Sequence, residues 1–318
     1  VSSPLLFTDA RMLEHRPPPH HPERPERLSA ILQRLKRDGM LFTCPAGPVR
    51  EASDDELARV HDRDYLDQVH AWEGMGGGQV EVDTWMSSGS ERAARLATGA
   101  AIEAVAAVVD GRAERAFCAV RPPGHHARPR QAMGFCLYGT VAAAAAHAVE
   151  ALGLARVLVV DFDVHHGNGT QEMFYDDGRV GFLSIHRYPF YPGTGAADET
   201  GTGRGLGLIR NVPVAFGTPA EDILARFRTA LGEMAGRVRP ELVIVSAGFD
   251  AHRLDPVGNL GLEVEDFVAM TNELMHVARA HSDGRLVSVL EGGYNTGELA
   301  RCVAAHLEAL GAEGDLSH

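Results

Sequence analysis

Short runs rich in valine, leucine and isoleucine recur at positions 115–120, 156–161, 180–185, 241–246 and 285–290. Apolar runs of this length, with little alternation, suit strands covered on both faces. Between them, segments such as 218–237 and 264–281 space their apolar residues as a helix does. Strands alternating with helices predict an α/β fold, a parallel sheet wrapped by helices. PAGPVREASDDEL and EGMGGGQVEVD are punctuated by glycine and proline and read as loops. No repeat and no low-complexity segment interrupts the pattern. The reading is one domain over 1–318, with 1–22 as a loop or interface segment.

The polar residues fall at particular places in this pattern. RAFCAV runs into RPPGHHA, RVLVV into DFDVHHGNG, RVGFLS into IHRYPFYPGTG, ELVIVS into AGFDAH, and RLVSVL into EGGYN. Each polar, glycine-rich stretch begins where a predicted strand stops. Sites in open parallel sheets form at the carboxyl ends of the strands, so five segments are expected to converge on one edge.

Composition narrows the possibilities. The chain is 45% hydrophobic and 23% charged, as in ordinary globular proteins. Acidic side chains outnumber basic ones 43 to 30, for a formal net charge of −13. That balance argues against a non-specific nucleic-acid binder, which needs a basic face, and no nucleic-acid partner is expected. Cys44, Cys118, Cys136 and Cys302 form no CxxC pair, which fits a reducing compartment better than a disulfide framework. The N-terminal sequence lacks the features of a signal peptide, and no apolar run reaches the roughly 18–20 residues of a membrane span. A cytoplasmic protein without a membrane partner is expected.

Asp163 and His165 stand at i and i+2, so on an extended segment both point the same way. With Asp250, after another strand, they make three protein ligands and leave an open position, as catalytic zinc requires. His125 and His126 sit in a Gly-Pro loop. One of them could take a proton from a metal-acidified water and pass it to a leaving amine, although both could instead be further ligands. A histidine base needs an orienting partner, and Asp161 and Asn168 are available. Tyr294, after two glycines, could donate its phenol to an oxyanion. Phe135 and Tyr191 could wall an apolar channel or be ordinary packing aromatics.

These motifs, RPPGHHA, GFC, DFDVHHGNGTQ, FLSIHRYPFYPGTG, SAGFDAHRLDP and LEGGYN, with HPERPERL near the N-terminus, closely resemble the histone deacetylase and acetylpolyamine amidohydrolase family of the arginase–deacetylase fold. The resemblance runs from about residue 20 to 310. It implies a zinc-dependent amidohydrolase with a mainly parallel sheet of about eight strands. One zinc would be held by Asp163, His165 and Asp250. His126 would act as base and then acid beside His125, with Asp161 orienting His125 and Asn168 orienting His126. Asn168 stands where many relatives have aspartate, the class II-like pattern.

Tyr294 would polarise the acyl carbonyl. Phe135 and Tyr191 would line the channel, and the Gly134 carbonyl would accept the substrate N–H; Tyr191 departs from the commoner phenylalanine. A structural potassium would lie on Asp161, Asp163, His165, Ser184 and Ile185, and a second cation near Phe174 and Val180. Arg27 matches an arginine beside an internal acetate channel, though it also reads as a helix-surface residue. Glu291 belongs to the LEGGY signature. It is not a substrate gatekeeper.

The substrate implied is an acylated lysine or a similar small acylated amine. Polyamine-specialised relatives tend to carry an acidic residue just after the Asp-Pro of the zinc-aspartate loop, where this chain has Val257. A non-catalytic acyl-lysine reader would be marked by loss of Tyr294, His126 or a ligand, and all are present. An arginase-like dimanganese enzyme would need another aspartate where Gly167 stands. A homodimer or tetramer through 2–22 or the 74–86 loop is also an expectation of the resemblance.

Overall fold

Residues 3–312 are described by the computed structural model. Ser2 and both ends of the 1–318 domain assignment lie outside the described residues. The strands are β1 (Leu5–Phe7), β2 (Gly77–Gln79), β3 (Trp85–Ser87), β4 (Arg115–Cys118), β5 (Val157–Asp161), β6 (Val180–Arg187), β7 (Ile209–Val214), β8 (Leu242–Ala247) and β9 (Leu286–Leu290). Each of the five apolar runs forms a strand, and β4, β5, β8 and β9 are buried along their whole length. Burial on both faces is what continuous apolar sequence stabilises.

Seven strands form one sheet in the order β1-β4-β9-β8-β5-β6-β7, every neighbouring pair parallel. The expected mainly parallel sheet is present, with seven strands in the principal sheet. The other two strands, β2 and β3, pair antiparallel as a separate ribbon. That ribbon replaces the loop expected around 74–86. The 1–22 segment is likewise more than a loop, because β1 lies within it and forms the sheet edge beside β4, followed by a 3-10 turn over Ala10–Glu14.

Helices cover the sheet in two groups. Glu26–Arg37, Thr296–Gly311, Val264–His281 and Ala220–Val238 pack in that order, while Ser90–Val109 packs against Thr140–Glu150. The sequence 264–281 is helical over its expected length, and 218–237 shifts to Ala220–Val238 because Pro219 stands at its N-terminal boundary. What matters for function is the order β4-β9-β8-β5. Their carboxyl ends lead directly into the histidine pair, the LEGGY loop, Asp250 and the Asp161–His166 stretch.

Candidate active site

Asp163, His165 and Asp250 are buried and meet, with one ligand atom from each lying within 4.8 Å of the others. His165 Nδ1 is 3.0 Å from Asp163 Oδ1 and 3.1 Å from Asp250 Oδ2. A single imidazole N–H cannot serve two carboxylates, and Asp250 Oδ2 is left buried without a hydrogen-bond partner. Space for these oxygens comes from glycines: a Cβ on Gly292 would overlap Asp250 Oδ2, and one on Gly248 would overlap Asp163 Oδ2. Two carboxylates and an imidazole around an unsatisfied oxygen are a donor set for a divalent cation, with zinc suited to three such ligands.

The local charge supports that reading. Burial opposes protonation of His165, yet the Asp163 and Asp250 carboxylates hold it up to about 10. Burial, aided by the charge on Asp163, pushes Asp250 up to about 7. Two buried carboxylates crowd this point, and a bound cation would take over the balancing role of the proton on His165.

The histidine pair stands beside this cluster. His125 Nδ1–H donates to Asp161 Oδ2 at 2.8 Å, and His126 Nδ1–H donates to Asn168 Oδ1 at 2.7 Å. Both bonds leave the Nε2 atoms as the nitrogens available for proton transfer. The rings lie 4.0 Å apart, and the His126 ring is 5.7 Å from that of His165. Although burial disfavours its cation, His125 is held well above the ordinary histidine value by Asp161, Asp163 and Glu291. His126 is driven the other way, by burial and then by positive charge on His125 and His165. Two adjacent imidazoles with opposed proton affinities can be one donor and one acceptor.

Tyr294 is buried, with its ring edge-on to Phe135 at 5.7 Å and the Arg27 guanidinium 4.9 Å from the ring centroid. The glycine before it, Gly293, has φ 125 and so permits the turn inward. Tyr191 stands edge-on to His126 at 5.2 Å, and Phe190 stacks on His165 at 5.3 Å. Phe135 has φ 69, a left-handed conformation rare for a residue with a side chain. It is held by Thr84 Oγ1, which accepts from the Phe135 N–H at 3.1 Å, and by Asp83 Oδ1, which accepts from Gly134 N–H at 2.9 Å. Ser184 and Ile185 are buried in β6, and the Ser184 hydroxyl lies 2.9 Å from His186 Nδ1. Arg27 is buried, so the helix-surface reading fails. It donates from Nε to Gly293 O at 2.6 Å and also to Glu291 O.

The supporting roles of several residues escape a reading of the sequence. Glu291 Oε2 accepts from Gly124 N–H at 2.6 Å and His125 N–H at 3.2 Å, holding the histidine loop. Asp255 Oδ2 accepts from Tyr294 N–H at 2.7 Å. The β2–β3 turn supplies Asp83 and Thr84. Each acts on a backbone N–H of a distant segment, which no local motif announces. The sole hint is that Asp255 and Glu291 lie inside strand-end motifs.

The sequence pattern of the Histone deacetylase domain matches residues 21–310. A "Probable deacetylase" of Archaeoglobus fulgidus is 38% identical over 89% of this chain and 79% of its own length. The human "Polyamine deacetylase HDAC10" is 40% identical over 91% of this chain, which spans 44% of that longer protein. The crystal structure of the HDA15 HD domain superimposes with a TM-score of 0.92 at 39% identity, covering 97% of this chain and 88% of that one.

Proposed function

Since this chain belongs to the histone deacetylase family, a family of amidohydrolases acting on amide C–N bonds, we propose that it removes acetyl or another short acyl group from the side-chain amine of lysine. The observation that carries this reading is the joint presence of the Asp163/His165/Asp250 cluster and the two separately oriented histidines. Zinc held by Asp163, His165 and Asp250 would supply Lewis acidity to the acyl carbonyl and to an attacking water.

The remaining work falls to the chain's own groups. His126, kept neutral and oriented by Asn168, receives the water's proton at Nε2. Tyr294 donates its phenol hydrogen to the oxygen on which charge develops. His125, its Nδ1–H held on Asp161, stands beside that negative charge, and His126 or His125 returns a proton to the departing amine. Phe135 and Tyr191 would exclude water along the lysine stem, and the Gly134 carbonyl would accept its amide N–H.

We further infer one structural potassium on Asp161, Asp163, His165, Ser184 and Ile185, and a weaker second cation near Phe174 and Val180. Residues 1–318 are read as one catalytic domain. The four free, buried cysteines fit a cytoplasmic setting, and no described helix is long and apolar enough to cross a membrane.

Likeness to a human polyamine deacetylase favours a second substrate, an acetylated polyamine. Val257 speaks against it, because an apolar side chain stands where an acidic one would draw a distant ammonium group. Turnover of acetyl-lysine peptides, longer acyl-lysines, acetylspermidine and acetylputrescine by zinc-loaded protein decides between them. Peptide hydrolysis lost in Asp163→Ala is expected. Hydrolysis of polyamines alone would overturn the lysine reading.

A further inference from the structure

His166, the second histidine of DFDVHHGNG, has no part in the chemistry above. It is buried, with Nδ1 2.8 Å from Thr194 Oγ1 and Nε2 2.9 Å from Gln171 Oε1. The tautomer consistent with both neighbours has the threonine hydroxyl donating to Nδ1 and Nε2–H donating to the glutamine. Gln171 Nε2 then donates to Glu199 Oε2 at 2.6 Å, while Asn211 Nδ2 donates to Gln171 Oε1 at 2.7 Å. The Glu199 carboxylate also accepts from the Gly195 N–H at 3.1 Å and the Ala196 N–H at 3.0 Å. His186 completes the knot, its Nε2–H donating to Gly195 O at 3.0 Å.

The placement of this network gives it a purpose. Gln171 lies on the short helix Asn168–Met173, which begins with the residue orienting His126. Thr194, Gly195, Ala196 and Glu199 follow directly on the turn that carries Phe190 and Tyr191, closed by Gly193 N–H donating to Phe190 O at 2.8 Å. On its other side this turn is anchored by Arg187, whose guanidinium stacks 4.1 Å from the Phe190 ring centroid and donates to Gly258 O at 3.0 Å. Between the anchors Tyr191 is 37% exposed and stands edge-on to His126 at 5.2 Å and His165 at 6.0 Å. Nor can Gly195 be replaced without disturbing the knot, since a Cβ there would overlap the His186 ring.

We propose that Glu199 is a positioning residue that, through Gln171 and His166, ties the Tyr191 turn to the Asn168 helix and so sets how tightly the channel grips the acyl-lysine stem. The inference rests on the deacylase reading for its substrate, but the tie itself does not. A charge-assisted carboxylate cluster is the strong kind of hydrogen bonding, and its loss should loosen binding more than chemistry.

The test is Glu199→Ala, with Glu199→Gln as the conservative variant, in zinc-loaded protein. Two readouts are taken: steady-state kinetics on an acetyl-lysine peptide, and amide hydrogen exchange across 190–199 and 264–281. Glu199→Ala is expected to raise KM about ten-fold while kcat stays within about three-fold. Exchange should quicken over 190–199 and not over 264–281, with Glu199→Gln intermediate in both readouts. Unchanged exchange over 190–199 would overturn the tie, and faster exchange with unchanged KM would overturn its role in substrate grip. Should Glu199→Ala fail to fold, Gln171→Met cuts the same tie from the helix side and yields the same two readouts. If the wild type hydrolyses no acyl-lysine, the deacylase reading falls while the exchange data still decide the tie.

Discussion

At the scale of single residues, the proposed chemistry separates groups that hold from groups that react. Tyr294 hydrogen-bonds to neither Asp163 nor Asp250; its backbone N–H is fixed by Asp255, which leaves the phenol free for a substrate oxygen. Tyr294→Phe therefore removes one donor and nothing else in the packing. Its kcat on an acetyl-lysine peptide is expected to fall about 10²–10³-fold, with bound zinc, measured by metal analysis, unchanged. Asp163→Ala should differ in kind, losing metal as well as activity, because it removes one of the three clustered donors; it also strips the His165 N–H (2.9 Å) and the Gly292 N–H (2.8 Å) of their acceptor. The Asp163, His165 and Asp250 cluster and the histidine pair are legible in the sequence because each side chain stands at a strand end. Asp83 and Asp255 are not, because each is defined by the remote backbone N–H that it accepts, and Glu199 is not, because its remote partner is the Gln171 side chain.

At the scale of elements, legibility follows burial. β4, β5, β6, β8 and β9 announce themselves as apolar runs. β7 escapes the pattern because its sequence, IRNVPV, includes Arg210, Asn211 and Pro213, residues tolerated where a strand has one free edge. β1 is only LLF, and β2 is GGQ, so their pairing comes from context rather than propensity.

The joint between the N-terminal segment and β4 is made by charge. Glu23, fully buried, accepts from Arg121 Nε at 2.9 Å and Nη2 at 2.7 Å, and lies 3.2 Å from Arg27 and 3.1 Å from His15. Arg121 in turn donates to the carbonyls of Met12 and His15 at 2.7 Å. Glu23→Gln leaves two buried guanidinium groups without their counter-charge. Removing one partner of a buried pair costs about 3–5 kcal/mol, a loss that a urea titration would register as a lower midpoint with a similar slope.

At the scale of the whole molecule, the fold keeps several histidines neutral in its interior, and this sets how stability follows pH. Burial lowers His61 to about 4, and lowers His186 and His306 to about 3. His306 is fully enclosed, its Nδ1 2.7 Å from Thr271 Oγ1 and its Nε2 2.8 Å from Ser288 Oγ. For such a group the unfolded chain binds a proton near pH 6.5 while the folded chain does not. The stability it contributes is complete above about pH 6.5 and is lost as the pH falls toward the folded value. Each fully uncoupled histidine adds a slope of about 1.4 kcal/mol per pH unit in that window. Unfolding free energy from urea titrations should therefore decline from pH 6.5 to 4.5, and the decline should be shallower by about one proton in His306→Gln, whose amide keeps a donor and an acceptor. An unchanged slope in that variant would mean that His306 carries its proton in the folded core. The two hydroxyls would then have to accept from both ring nitrogens, and the core would contain a buried cation with no carboxylate to balance it.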